Sequence, residues 1–275
     1  MAKHVFKRVL FWLVTLVVLF IIVVPLAWIY LTAFKSSTDI FSTNLTRMVI
    51  FKPTLGNFTN LFGEYPFWRN LLNTGIVSIL GTVLCMVVSL PAAYSFARWN
   101  TGRGDLLFMT VSTRMFPMAV AAIPHFMVYK WLGLLDTYWG LMLLYVFFNM
   151  SFATFLLYGF FNEVPKEVEQ AAMIDGYGRM EVFRKIVFPL IKPGLAVTAV
   201  FCLIWMWNEF FFAFLFTRST ARTVNVLISS FWGGLQVQYG LMAAGAAIAI
   251  LPTLVAAVFM QRYIIRGLTF GAVKG

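Results

Sequence analysis

Apolar positions in this chain fall in long runs, separated by short polar segments. The runs lie near 9–31, 71–97, 106–128, 138–161, 194–217 and 241–261. Each is about as long as a bilayer-spanning helix, which needs roughly 20 residues. The alternating segments of about 10 residues that build a membrane barrel are not seen. The pattern predicts an all-α, polytopic membrane protein with six transmembrane helices, organised as a single domain over 1–275. The stretch 32–70 is the longest outside the runs and shorter than an ordinary domain of about 50 residues or more. It reads as a partly ordered loop with a short amphipathic helix near Tyr65–Asn70. No internal repeat or low-complexity tract is evident.

One segment breaks the pattern differently. Residues 163–194 carry charges and glycines between two apolar runs. Charged groups lose too much hydration to lie in hydrocarbon, so this segment is predicted to protrude as an ordered loop. Pro165 suits a first helical turn, where its missing N–H is not needed. Val164, Val168, Ala171 and Ala172 then recur on one helical face, with Glu163, Lys166, Glu167 and Glu169 covering the rest. Gly176 is a natural stop. A second amphipathic segment carries Val182, Phe183, Ile186 and Val187 against Arg179, Glu181, Arg184 and Lys185, and is predicted to end at Pro189 and Pro193. One apolar face can pack on the chain's own helix ends; the other invites a partner.

Composition agrees. Only 11% of the 275 residues are charged, against about 25% in soluble domains. The net charge of +11 is no nucleic-acid footprint, because the basic residues sit between spans where orientation demands them. Thirteen of the 21 Lys and Arg residues, among them Lys3, Arg98, Arg184 and Arg262, fall on one side. Seven, among them Lys35 and Arg218, fall on the other, and Arg114 lies within a span. The positive-inside rule then places the N- and C-termini and the 163–193 loop in the cytoplasm. Cys85 and Cys202 both fall inside spans and read as small apolar packing, and they form no metal pattern with His4 and His125. The first apolar run is too long for a signal-peptide core and reads as a retained span.

Two intramembrane charges draw functional suspicion, beside the plainer reading that each bonds backbone or a polar side chain within the bundle. Arg114 lies roughly 12 Å into the third span and Glu209 roughly 22 Å into the fifth, measured from the same side. Different levels argue against a direct pair, though tilt could allow one. Trp205, Trp207, Asn208 and Glu209 mix stacking rings with polar groups, a combination that suits the C–H faces and hydroxyls of a sugar or polyol. Aromatic rings also face lipid routinely. Ala243, Ala244, Gly245, Ala246, Ala247 and Ala249 form a smooth helix-packing surface.

The loop sequence Glu169-Gln170-Ala171-Ala172, then Asp175-Gly176, then Phe183, Ile186, Pro189-Leu190 and Pro193 resembles the signature loop of ABC importer permeases. There the pattern runs EAA, two residues, DGA, then F, I, LPL and P. Two departures are Gln170 in place of the glutamate and Tyr177 in place of the last alanine. Pro91-Ala92-Ala93-Tyr94-Ser95-Phe96-Ala97-Arg98, Leu132-Gly133-Leu134-Leu135-Asp136-Thr137 and Trp207-Asn208-Glu209-Phe210 are also similar to segments of that family. The ending Gly271-Ala272-Val273-Lys274-Gly275 resembles the tail of its carbohydrate-uptake branch, which includes the smaller membrane subunit of maltose-type importers.

The resemblance implies a bacterial inner-membrane, multi-pass permease. It would translocate a sugar, oligosaccharide or polyol delivered by an extracytoplasmic solute-binding protein. It implies a cytoplasmic helix–turn–helix coupling loop, with Glu169, Gln170, Ala171, Ala172, Asp175, Gly176, Phe183 and Pro189, seated in an ATPase subunit. It implies a tail of Gly271, Ala272, Val273, Lys274 and Gly275 reaching the ATPases. Arg114, Trp205, Trp207, Asn208 and Glu209 stand as candidates beside the path on the charge and ring chemistry given above, not on the resemblance. The partners would be a homodimer or heterodimer of ABC ATPases and a second homologous permease. No phosphate-binding loop of the Gly-x4-Gly-Lys-Ser/Thr form occurs, so ATP and Mg belong on the partner ATPase, with no cofactor on this chain. Three alternatives stand beside this reading. They are a self-sufficient secondary transporter, an importer of another small polar solute such as a glycerol phosphate, and an intramembrane enzyme. The last would need a converging set of catalytic side chains that the spans do not show.

Overall fold

The computed structural model describes residues 2–115, 117–233 and 237–270, with side chains from 6 to 261 within those ranges. Every regular element among the described residues is a helix. In chain order the helices are α1 (Ala2–Ala33), α2 (Ser37–Ile40), α3 (Leu45–Val49), α4 (Gly56–Glu64), α5 (Phe67–Trp99), α6 (Asp105–Ser112) and α7 (Met118–Trp131). There follow α8 (Tyr138–Glu163), α9 (Lys166–Ile174), α10 (Arg179–Val182), α11 (Phe188–Asn208), α12 (Phe211–Phe216), α13 (Val224–Ser230), α14 (Tyr239–Ala249) and α15 (Leu251–Phe270).

Among the described residues, five helical stretches are long and apolar enough to cross a membrane: Phe6–Ala33, Phe67–Trp99, Tyr138–Glu163, Arg179–Asn208 and Tyr239–Gln261. The third predicted span is divided. Thr101–Met115 and Met118–Trp131 meet at 95°, and counting them as one gives six spans. Pro117, with extended backbone, cannot carry a helical hydrogen bond across this point. The fifth span also departs from expectation. It starts at Arg179 rather than 194 and stops at Asn208 rather than 217, because Glu209 adopts extended backbone. In the 32–70 stretch the longest helix is α4, not one at Tyr65–Asn70; Tyr65 is extended there and the second span already begins at Phe67.

The chain forms two compact units, 1–69 with 227–251 and 70–226 with 252–275. In the first, the predicted small-residue surface of α14 packs inward: Ala243, Ala244, Gly245, Ala247 and Ala249 are buried and Ala246 is half-buried. The Tyr30 hydroxyl on α1 donates to the Ala247 carbonyl (3.2 Å). The Asn57 amide on α4 donates to the carbonyls of Ala33 (2.9 Å) and Lys35 (2.8 Å), satisfying the open end of α1.

In the second unit, α5, α8 and α11 supply most of the core. One cluster centres on Val77, Cys85, Leu144, Tyr145, Phe148, Met206 and Phe212. A separate cluster, Ala93, Ala97, Leu157, Phe161, Val164, Ala172, Val182, Val187 and Ile191, lies where the 163–194 loop meets the span ends. Polar residues on the buried face of α5 bond within the helix: Ser78 to the Thr74 carbonyl (2.6 Å) and Thr82 to the Ser78 carbonyl (2.7 Å). Cys85 and Cys202 are buried and unbridged.

Candidate coupling loop and span-end sites

The protruding loop is a helix–turn–helix. Pro165 sits just before α9, and its carbonyl accepts from the Val168 N–H (3.3 Å). At the other end Gly176 takes φ +92°, a conformation that disfavours any side chain. The Gly176 N–H bonds the Met173 carbonyl (3.2 Å) and the Tyr177 N–H bonds the Ala172 carbonyl (3.1 Å). These two bonds form a Schellman stop. The Gly178 N–H then donates to the Glu181 carboxylate (3.2 Å), which opens α10.

The second arm does not end at Pro189. From Arg179 to Asn208 the helix is continuous, through a π turn at Phe183–Val187. Pro189 has no N–H to give and its ring would crowd the carbonyl four residues back. The wider turn, with the Phe188 N–H bonded to the Phe183 carbonyl, shifts that ladder by one residue. Phe183 packs on Tyr94 (4.8 Å between ring centroids), while Pro189 is exposed.

α9 presents three faces. Glu169 and Ala172 are buried against the chain. Lys166, Gln170 and Met173 line a cavity beside α5. Glu167, Ala171 and Ile174, spaced by four and three residues, point away from both, and Ile174 is 86% exposed. The expected apolar face of Val164, Val168, Ala171 and Ala172 is therefore rotated: Val164 and Ala172 are buried, whereas Val168 and Ala171 are exposed.

Glu169 explains the rotation. Its carboxylate pairs with the Arg98 guanidinium through Nε and accepts from the Tyr94 hydroxyl (2.8 Å), with both charged side chains almost fully buried. A further guanidinium N–H of Arg98 donates to the Val164 carbonyl (3.0 Å). An ion pair this buried is tolerable only when both partners are well hydrogen-bonded, as here. The clamp ties the loop to the end of α5. In the sequence Arg98 counts only toward orientation and Tyr94 carries no role of its own; their four-residue spacing, which puts both on one helix face, is the available signal.

The opposite end has its own clamp. Asp136, at φ +55°, accepts from the backbone N–H groups of Arg218 (2.9 Å), Ser219, Thr220 (3.0 Å) and Ala221 and from the Ser219 hydroxyl. Burial opposes ionisation of this carboxyl, but the N–H groups of Arg218, Thr220, Ala221 and Ser219 outweigh it and lower its pKa to about 2. Nearby, the Asn73 amide donates to the carbonyls of Thr220 (3.0 Å) and Arg222 (2.9 Å) and accepts from the Tyr138 hydroxyl (2.7 Å).

Of the predicted path residues, Arg114 and Trp205 come together. The Arg114 guanidinium lies 4.7 Å from the Phe152 ring centroid and 6.0 Å from that of Trp205. Glu209 is buried and caps α12, accepting from the N–H groups of Phe212 (2.8 Å) and Ala213 (3.1 Å). No ion pair joins it to Arg114. Trp207 offers its carbonyl to Asn225 (2.9 Å), and Asn208 donates to the Ile204 carbonyl (2.7 Å). His125 bonds the Ala121 carbonyl (2.7 Å) and packs near Phe147 and Phe148. The predicted tail, Gly271 to Gly275, lies outside the described residues.

These features define a polytopic helical membrane protein with a protruding helix–turn–helix clamped to its spans. Residues 86–270 match the family described as binding-protein-dependent transport system inner membrane component. The chain belongs to this family and is the permease subunit of an ABC importer. It is similar to the trehalose transport system permease protein SugB of Mycobacterium tuberculosis, 34% identical over 275 residues and covering 98% of this chain and 99% of the relative. It is similar also to the trehalose/maltose transport system permease protein MalG of Thermococcus litoralis, 32% identical over 281 residues and covering both chains completely. In fold it resembles a chain of a bacterial ABC transporter involved in the import of the acidic polysaccharide alginate. That likeness has a TM-score of 0.76 at 21% identity and covers 95% of this chain and 96% of the other.

Proposed function

We propose that this permease conducts a sugar, oligosaccharide or polyol, paired with a second homologous permease and driven by separate cytoplasmic ATPase subunits. An extracytoplasmic protein delivers the solute, and the loop and both termini face the cytoplasm of a bacterium, in its inner membrane. The names of the relatives support the substrate class, since they include trehalose and maltose systems. ATP and its Mg are handled by the partner. The observation that carries the coupling role is the outward face Glu167, Ala171 and Ile174, followed by Asp175 and Gly176, on a helix whose inner face is pinned by Arg98 and Tyr94. An apolar side chain as exposed as Ile174 on a charged loop fits a protein partner.

Coupling then follows from stiffness. Closure of the ATPases pushes on α9, the Glu169 clamp transmits the push to α5, and the continuous rod from Arg179 carries it into the fifth span. The two ends of an inward-open and outward-open equilibrium are thereby biased. Along the path, the Arg114, Phe152 and Trp205 cluster offers rings and N–H donors to a hydroxyl-rich solute.

Gly176→Arg tests the role of the turn. The positive φ costs any L-residue about 1–2 kcal/mol, and a long cation then stands where the partner docks. The variant should reach the membrane at normal levels yet lose transport, while Gly176→Ala, bearing only the backbone strain, keeps most of it. Full transport by Gly176→Arg would contradict the coupling role.

A further inference from the structure

Beside the clamp, two adjoining cavities share Tyr94, Trp99 and Arg179. The first, about 150 Å³, adds Lys166, Gln170, Met173 and Val182 to the walls, together with the Arg98–Glu169 pair. The second, about 260 Å³, adds Pro91, Met180 and Phe183 and is almost wholly apolar.

The lining is graded along α5. From Pro91 to Trp99 the helix rises about 12 Å. Its apolar end lies toward the middle of the span, and its basic end lies at the span terminus. Arg98 is consumed by Glu169, but Lys166 and Arg179 have no acidic partner among the described residues. Two cations with no ion-pair partner therefore face a cavity whose floor is hydrophobic. Trp99 is 53% exposed and Met180 67% exposed, so the slot opens laterally at a depth where Trp favours the headgroup boundary.

From this graded slot we infer a binding site for an anionic phospholipid. The phosphate sits between Lys166 and Arg179, Gln170 offers an amide, and the upper acyl chain lies along Pro91, Tyr94, Trp99, Met180 and Phe183. The outward face of α9 stays free, so the lipid and the ATPase do not compete for one surface. A soluble partner would explain the cations but not an apolar floor descending into the span. A lipid explains both.

The test uses the full-length chain in vesicles and reads tryptophan fluorescence, with the signal of Trp99 taken as the difference from Trp99→Phe. Vesicles contain either brominated phosphatidylglycerol or brominated phosphatidylcholine as quencher. At about fivefold per basic side chain near a surface, the anionic lipid should quench Trp99 at roughly thirtyfold lower mole fraction. Arg179→Gln or Lys166→Gln should each cut that preference to about fivefold. Both are exposed positions, and unaltered quenching of the other tryptophans checks the fold. Millimolar inorganic phosphate should not abolish the preference, since it brings no acyl chain. Equal quenching by the two lipids, a preference unmoved in both Gln variants, or loss of the preference on adding phosphate would overturn the site. So would a preference that disappears when the ATPase docks, which would assign the cations to protein.

Discussion

Arg98 and Glu169 illustrate how much one buried pair decides. Removing either leaves the other charged and orphaned, at a cost of about 3–5 kcal/mol. Arg98→Ala and Glu169→Ala should each lower the thermal midpoint of the detergent-solubilised protein, and the exchange Arg98→Glu with Glu169→Arg should recover part of the loss. Singles that melt like the parent chain would show that the clamp does not hold the loop. Asp136 makes a second prediction, about pH. Its pKa is lowered to about 2 in the folded chain, against an ordinary value near 4. The unfolded chain therefore binds the proton more readily, and acid favours unfolding. The contribution of Asp136 is complete above about pH 4 and is lost as pH falls towards 2. Asp136→Asn should flatten the stability profile across that window, and an unchanged profile would remove the assignment. Neither clamp was legible in the sequence. Glu169 reads as one more exposed acid of an amphipathic loop, because its partner lies 71 residues away. Asp136 stands out in the sequence only as part of a segment similar to the family, because backbone donors leave no side-chain signature.

At the scale of elements, hydropathy located the spans but not their breaks. The apolar run across 194–217 hides the interruption at Glu209, since a short buried helix, α12, continues the hydrophobic pattern. Conversely, Pro189 and Pro193 suggested a boundary where the helix runs on. The π turn relieves the ring of Pro189 at the cost of one local irregularity. Gly176 was readable because a stop needing positive φ selects glycine. Gly194 was not. A Cβ there would lie 2.3 Å from the ring of Phe160, so α11 and α8 pack with nothing to spare. Gly194→Ala should cost about 1–3 kcal/mol by forcing the ring or the helices apart, whereas the double change with Phe160→Leu should regain part of it. A melting temperature unaffected by Gly194→Ala would mean the contact is looser than described.

For the whole molecule, the family and the helical membrane class follow from patterns spread along the chain, which no local detail can disguise. What remained hidden was which face of the loop turns outward, because that depends on the Arg98 and Tyr94 clamp rather than on periodicity. The proposed coupling requires Glu167, Ala171 and Ile174 to meet a separate ATPase. The direct measurement replaces Ile174 with cysteine in a chain whose Cys85 and Cys202 are changed to serine or alanine. The intact transporter is then crosslinked with and without ATP, with Lys166→Cys on the neighbouring face as comparison. A strong crosslink from position 174 to the ATPase, nucleotide-sensitive and much weaker from 166, is the predicted result. A transporting complex in which position 174 never reaches the ATPase would contradict it.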